Sequence, residues 1–265
     1  VETIEAWARH YVLSDDLQTK LAPPALPALF ARDFAPERLL APGRPPELKA
    51  AKRGERIPKP EGMREPLLRA KALHAFLHHE LQAAELMCWA VLAFADAEED
   101  FRRGLLRVCF DEIRHMNLYR THIEALGCKV GDFGVRDWFW KRVPQCQNKL
   151  SFVAVMGMGL EAANLEYAPV FAQRFRDAGD LVGAEIQERI GREEVAHVKF
   201  GAHWFVKWTG GCDFDVWLNA LPPPWSPMVL RGNPIAVEAR QRAGMSDAFI
   251  AALGAYVPEP HGRRA

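Results

Sequence analysis

Two Glu-x-x-His pairs, Glu112 with His115 and Glu194 with His197, each follow a lone glutamate at nearly the same distance. Glu80 precedes Glu112 by 32 residues, Glu161 precedes Glu194 by 33, and the second set repeats the first after 81 or 82 residues. A single Glu-x-x-His arises readily by chance. Four positions in register restrict the chain to an internally duplicated pair of helices whose acidic side chains share a face.

The rest of the sequence agrees with long helices. Residues 2–20 place Ile4, Trp7, Ala8, Tyr11 and Val12 at helical spacing, which predicts one amphipathic helix. From Pro23 to Pro66 the chain carries ten of its nineteen prolines, and each lacks an N–H and restrains its predecessor. This predicts an extended arm wrapped on the domain. Four long helical segments follow, at about 65–97, 98–126, 149–178 and 180–209. Gly127, Gly179 and Gly210 supply their C-terminal stops, and Pro169 is placed to kink the third. Two short turns and one long connection, 129–147, describe a four-helix bundle with a single crossover. The expected architecture is all-α: an N-terminal helix and proline-rich arm over 1–64, the bundle over 65–210 and a short helical C-terminal extension over 211–265.

Residues three, four and seven apart share a helix face. The neighbours of Glu80 on that criterion are Leu73, Phe76, Leu77, Ala83, Ala84 and Met87; those of Glu161 include Ala154, Met158, Leu165 and Ala168. Similar apolar stripes flank Glu112 and Glu194, so all four carboxylates are expected to face inward. Burying them costs several kcal/mol each unless positive charge compensates, and no lysine or arginine occupies these inward positions. Two metal ions supply that charge. Carboxylate oxygen and imidazole nitrogen suit iron or manganese, with Glu80, Glu112, His115, Glu161, Glu194 and His197 as ligands. Glu85 and Glu166 are rivals of Glu80 and Glu161, five residues or about 140° further round each helix, and the matched spacing favours the upstream member. Asp111 and Glu193 directly precede the ligand glutamates and are candidates to orient the histidines. His74, His78 and His79, together with Cys109, read as core or solvated residues. Tyr119, Tyr167, Trp89, Trp138, Trp140 and Trp204 read as packing that could also serve redox chemistry or line a pocket.

Composition narrows the function. Thirty-four basic and thirty-four acidic residues cancel, so no global field draws a polyanion, and nucleic acid is disfavoured as a partner. The apolar run from Phe152 to Leu160 is far too short to span a bilayer, and the first residues lack the features of a signal peptide. A cytoplasmic location is the expectation. Five cysteines without a C-x-x-C argue against a disulfide framework and against a zinc or rubredoxin-type iron site. A redox function would therefore need electrons from a separate carrier.

The stretches LHAFLHHELQAAEL, FDEIRHMNLYRTHIEALG, GLEAANLEYAP and REEVAHVKFGAHWF closely resemble the bacterial ferritin-like proteins grouped as domain of unknown function 455. The likeness spans about residues 40–210, with PGRPPELK and PEGMREPLLRAKALH in the arm. More distantly, Asp111 to His115 resembles the D-E-x-R-H box of di-iron monooxygenases and desaturases; the second copy departs from it at Glu193 and Ala196. The resemblance implies that Asp111 reaches His197 and Glu193 reaches His115. Asn164 stands where a rubrerythrin would carry an additional glutamate, which points away from a peroxidase. The implied function is a ferritin-like non-haem enzyme with two iron ions, or a manganese–iron pair. It would use O2 to hydroxylate or desaturate a small organic substrate, with electrons from a ferredoxin or reductase. An iron-storing ferroxidase and a tRNA hydroxylase are the alternatives, and a homodimer is compatible with all three.

Overall fold

A computed structural model describes residues 3–51 and 57–258; parts of the expected arm (52–56) and C-terminal extension (259–265) lie outside the described residues. Among the described residues there is no strand, only an isolated bridge between Ala50 and Val135. The fold is all-helical. No described helix is long and apolar enough to cross a membrane.

The chain forms two compact units, Val1–Lys149 with Phe171–Ile190, and Leu150–Val170 with Gly191–Ala265. The first begins with α1 (Ile4–Leu13) and α2 (Leu17–Leu21), where the sequence predicts a single helix. The break has a local cause. Ser14 is extended, and Asp16 starts a new helix by accepting a 2.7 Å hydrogen bond from the Thr19 N–H. The two longest helices of this unit are α3 (Pro66–Ala93) and α4 (Glu99–Ala125), which pack on each other. Pro66 opens α3 at a position where its missing N–H costs nothing. From Glu80 to Ala93 every residue of α3 is buried, the mark of a helix covered on all sides. Gly127, at φ +82°, follows α4 in the left-handed conformation that ends helices.

Polar anchors hold the N-terminal segment on these helices. Arg102 reaches Glu5 at 2.6 Å, Trp7 donates to the Pro24 carbonyl, and Trp89 donates to the Leu39 carbonyl. Between Pro23 and Ala51 the arm has no helix and is held at Pro24 and Leu39, whereas Pro60–Arg64, within its expected extended part, forms a short 3-10 helix.

The second unit contains α5 (Lys149–Val155) from Leu150, a π-helical segment Met156–Glu161, the first half of α6 (Ala162–Asp177) and the second half of α7 (Leu181–Thr209). The third long helix is thus not regular throughout. A π-segment ending at Glu161 widens it, while α6 continues through Pro169. Gly157 in this segment meets Gly201 of α7 so closely that a Cβ on either would lie 2.8 Å from the other's Cα. The extension contributes α8 (Phe214–Ala220), α9 (Val237–Arg242) and α10 (Asp247–Ala255). Trp217 is buried and donates to the Ala154 carbonyl, Phe249 packs edge-on against it, and Ser151 donates to the Ala220 carbonyl at 2.6 Å.

Candidate metal centre

In the first unit α3 carries Glu80 and α4 carries Glu112 and His115; the second unit carries Glu161 at the end of the π-segment, with Glu194 and His197 on α7. All six side chains are buried, Glu112, His115 and Glu194 completely. The Glu-x-x-His spacing produces the same local geometry twice. His115 Nδ1 lies 3.1 Å from Glu112 Oε2, and His197 Nδ1 lies 3.2 Å from Glu194 Oε2. Two donors about 2.1 Å from one cation, at a right angle to each other, stand about 3 Å apart. The spacing is that of a hydrogen bond and equally that of neighbouring ligands of one ion.

Ligand atoms of Glu80, Glu112, His115 and Glu194 all lie within 4.8 Å of one another, and so do those of Glu112, Glu161, Glu194 and His197. Glu112 and Glu194 belong to both groups; the other four residues belong to one each. Every group offers three hard oxygens and one borderline nitrogen, which fits iron or manganese better than the thiolate-rich or all-imidazole sets of structural zinc. The buried Glu/His cluster can bind metal.

The rival glutamates are engaged elsewhere. Glu85 is completely buried and binds Lys20 at 2.8 Å, Arg44 at 2.5 and 2.8 Å and the Trp140 indole at 2.7 Å. Burial pushes its carboxyl up, but Lys20 and Arg44 outweigh that and hold it below the usual range. Glu166 is bound by Arg240 at 2.8 Å through two nitrogens and by the Gly232 and Ala236 N–H groups. The positions five residues after Glu80 and Glu161 thus carry compensated carboxylates in both copies. Sequence reasoning missed Lys20, Arg44 and Arg240, which lie 41 to 74 residues from their partners along the chain.

The remaining candidates have other surroundings. Asp111 is half-exposed and accepts a 2.5 Å bond from Arg114, and Glu193 is half-buried beside Glu194. His74 Nε2 accepts from the Gly131 N–H, His78 pairs with Asp137 at 3.1 Å, and His79 stacks on Phe139. Tyr119 is buried and accepts a 3.0 Å bond from Gln187, whereas Tyr167 is 45% exposed. Cys109 is buried with its sulfur 3.5 Å from that of Cys88.

An uncharacterized protein of Haemophilus influenzae is 31% identical over 144 residues, 51% of this chain and 50% of that protein. The chain therefore spans about half the length of that relative. No solved structure matches. The family model described as protein of unknown function (DUF455) matches residues 4–251, and the chain belongs to that family.

Proposed function

We propose that this chain is a ferritin-like four-helix-bundle oxidoreductase that holds two iron ions and uses O2 to oxidise a small organic substrate, with electrons from a separate carrier. One observation carries the reading: two groups of buried ligand atoms share Glu112 and Glu194. In it, Glu80 and His115 would hold one ion, Glu161 and His197 the other, and Glu112 and Glu194 would be shared. When bound, a pair of iron ions supplies the electrons that reduce O2.

The chain's own residues supply the rest. Four carboxylates balance four of the positive charges of two divalent ions, which removes the cost of burying either set alone. Nδ1 of each histidine points to its own Glu-x-x-His carboxylate, leaving Nε2 for a partner that fixes the ring. Asp111 and Glu193 are the proposed partners. Leu77, Met116, Met158 and Val198, all buried one turn from a ligand, keep bulk water from the cluster.

The test is metal analysis joined to oxygen uptake. Protein loaded anaerobically with Fe(II) is expected to retain two iron ions per chain and to consume O2 when mixed with it. Retention of almost no iron would sink the reading. A large shell on size-exclusion chromatography would instead favour iron storage.

A further inference from the structure

Five of the six residues in the Glu/His groups stand on α-helices, whereas Glu161 closes the π-segment Met156–Glu161. An extra residue in one turn rotates every later side chain by about 100° round the helix axis. Whether that turn stays wide therefore decides which way Glu161 faces.

The C-terminal extension grips the chain on both sides of Glu161. Two residues before it, Gly159 meets the completely buried Leu230: a Cβ on Gly159 would lie 2.9 and 3.0 Å from the two δ-carbons of that leucine. Five residues after it, Glu166 accepts hydrogen bonds from the Gly232 and Ala236 N–H groups and from Arg240. Gly232 stands so close that a Cβ there would lie 2.4 Å from the Glu166 Cβ. Ahead of the segment, the Trp217 indole donates to the Ala154 carbonyl at 3.0 Å. The gripping stretch is itself anchored, because Arg231 donates to the carbonyls of Gly254 at 2.7 Å and Tyr256 at 3.3 Å, at the end of α10.

We infer that residues 230–240 of the extension hold the π-segment in its widened form, and that Leu230 is a positioning residue for Glu161. The inference rests on the reading of the Glu/His groups as a metal pair. Sliding the wide turn by one residue would bring Met158 or Leu160, each with a Cβ, to the place where Gly159 meets Leu230. The glycine and the leucine thus fix the register of the turn, and the bonds to Glu166 fix the helix beyond it. Glu161 belongs with Glu112, Glu194 and His197 and not to the group that contains Glu80 and His115. Loosening the grip would therefore weaken one ion of the pair and spare the other.

The probe is Mn(II), added to the full chain freed of metal. The wild-type protein is expected to take up two ions per chain, which share carboxylates and so give the electron paramagnetic resonance signal of a coupled pair. Leu230→Ala is expected to keep its helix content by circular dichroism while holding the second ion about tenfold more weakly, with the signal of a lone Mn(II) replacing that of the pair. Leu230→Met, which still reaches Gly159, should retain the pair. Gly159→Ala should produce the same loss by overpacking, and adding Leu230→Ala to it should restore part of the coupled signal, because the new methyl group then has space. If Leu230→Ala does not fold, Leu230→Val, one carbon shorter than the native residue, is expected to weaken the second ion by a smaller factor. A coupled pair held at wild-type affinity in the folded Leu230→Ala or Leu230→Val protein overturns the positioning role, and so does equal weakening of both ions, which a general loosening of the fold produces. A wild-type chain that takes up no Mn(II) refutes the metal reading itself, whereas a wild-type pair beside an unaffected variant refutes only the role of Leu230.

Discussion

Arg240 grips Glu166 with one edge of its guanidinium, Nε to Oε1 and Nη2 to Oε2, each at 2.8 Å, and both side chains are essentially inaccessible to water. This contact fastens α9 of the C-terminal extension to the helix that carries Glu161. Its counterpart in the first unit is Glu85, five residues after Glu80, fastened by Lys20 of α2 and Arg44 of the arm. In each copy the upstream inward glutamate enters the Glu/His groups, and the one five residues later anchors a segment outside the long helices.

Removing one partner leaves a buried charge without compensation. Arg240→Ala is expected to cost about 3–5 kcal/mol in urea unfolding. Arg240→Met combined with Glu166→Gln should cost less than Arg240→Ala alone, because the amide oxygen still accepts from Gly232 or Ala236 and no charge remains buried. A loss below 1 kcal/mol for Arg240→Ala would show that the pair is not held as described.

His74 gives stability a pH dependence. It is 1% exposed, and its Nε2 must be unprotonated to accept the 2.8 Å bond from Gly131. Burial, helped by nearby His78, pulls its pKa from 6.5 to about 4. Because the folded value lies below the unfolded one, the unfolded chain takes up the proton first. The stabilisation is complete above pH 6.5 and is lost as pH falls toward about 4, at no more than about 1.4 kcal/mol per pH unit. His74→Gln keeps an acceptor near the same place but does not titrate. Chemical unfolding between those pH values should show a shallower slope for the variant; an unchanged slope would remove His74 as the cause.

The two halves of the site were unequally legible in the sequence. Glu80, Glu112, Glu161 and Glu194 stood out because inward positions on helices repeat with the helix period, and duplication made the repeat visible twice. The cations that occupy Glu85 and Glu166 sit in a proline-rich arm and in helices of five or six residues, where no periodicity marks an inward position. The π-segment ending at Glu161 was equally silent, since one widened turn leaves the apolar pattern on either side intact. Gly157 and Gly159 were its nearest trace, small residues where α7 and Leu230 approach.

Gly157 and Gly201 make the closest of these approaches testable. A methyl group on either residue would lie 2.8 Å from the other's Cα, with backbone rather than a movable side chain in the way. In an ordinary helix Gly→Ala stabilises by about 1 kcal/mol. Here overpacking is expected to reverse the sign, with Gly201→Ala costing about 1–3 kcal/mol. Thermal unfolding decides between the two, and a raised midpoint would mean that the helices separate easily at this point.

The shared and unshared ligands should differ in how many ions each holds. Glu112→Ala and Glu194→Ala remove an oxygen from both groups, and each is expected to bring iron content from two per chain to near zero. His115→Ala or His197→Ala removes a ligand from one group and should leave about one ion. The metal-free protein is expected to respond in the opposite direction. Four carboxylates that converge without metal repel one another, so Glu194→Gln, which removes one charge while keeping the shape, should stabilise the metal-free fold by about 1 kcal/mol or more. Added Fe(II) should then raise the thermal midpoint of the wild-type chain and not that of the Glu194→Gln variant, since ligand binding to the folded state alone shifts unfolding. Equal iron content in the shared and unshared variants would show that Glu112 and Glu194 do not bridge. A Glu194→Gln chain less stable than wild type without metal would show that the carboxylates are already neutralised by another means.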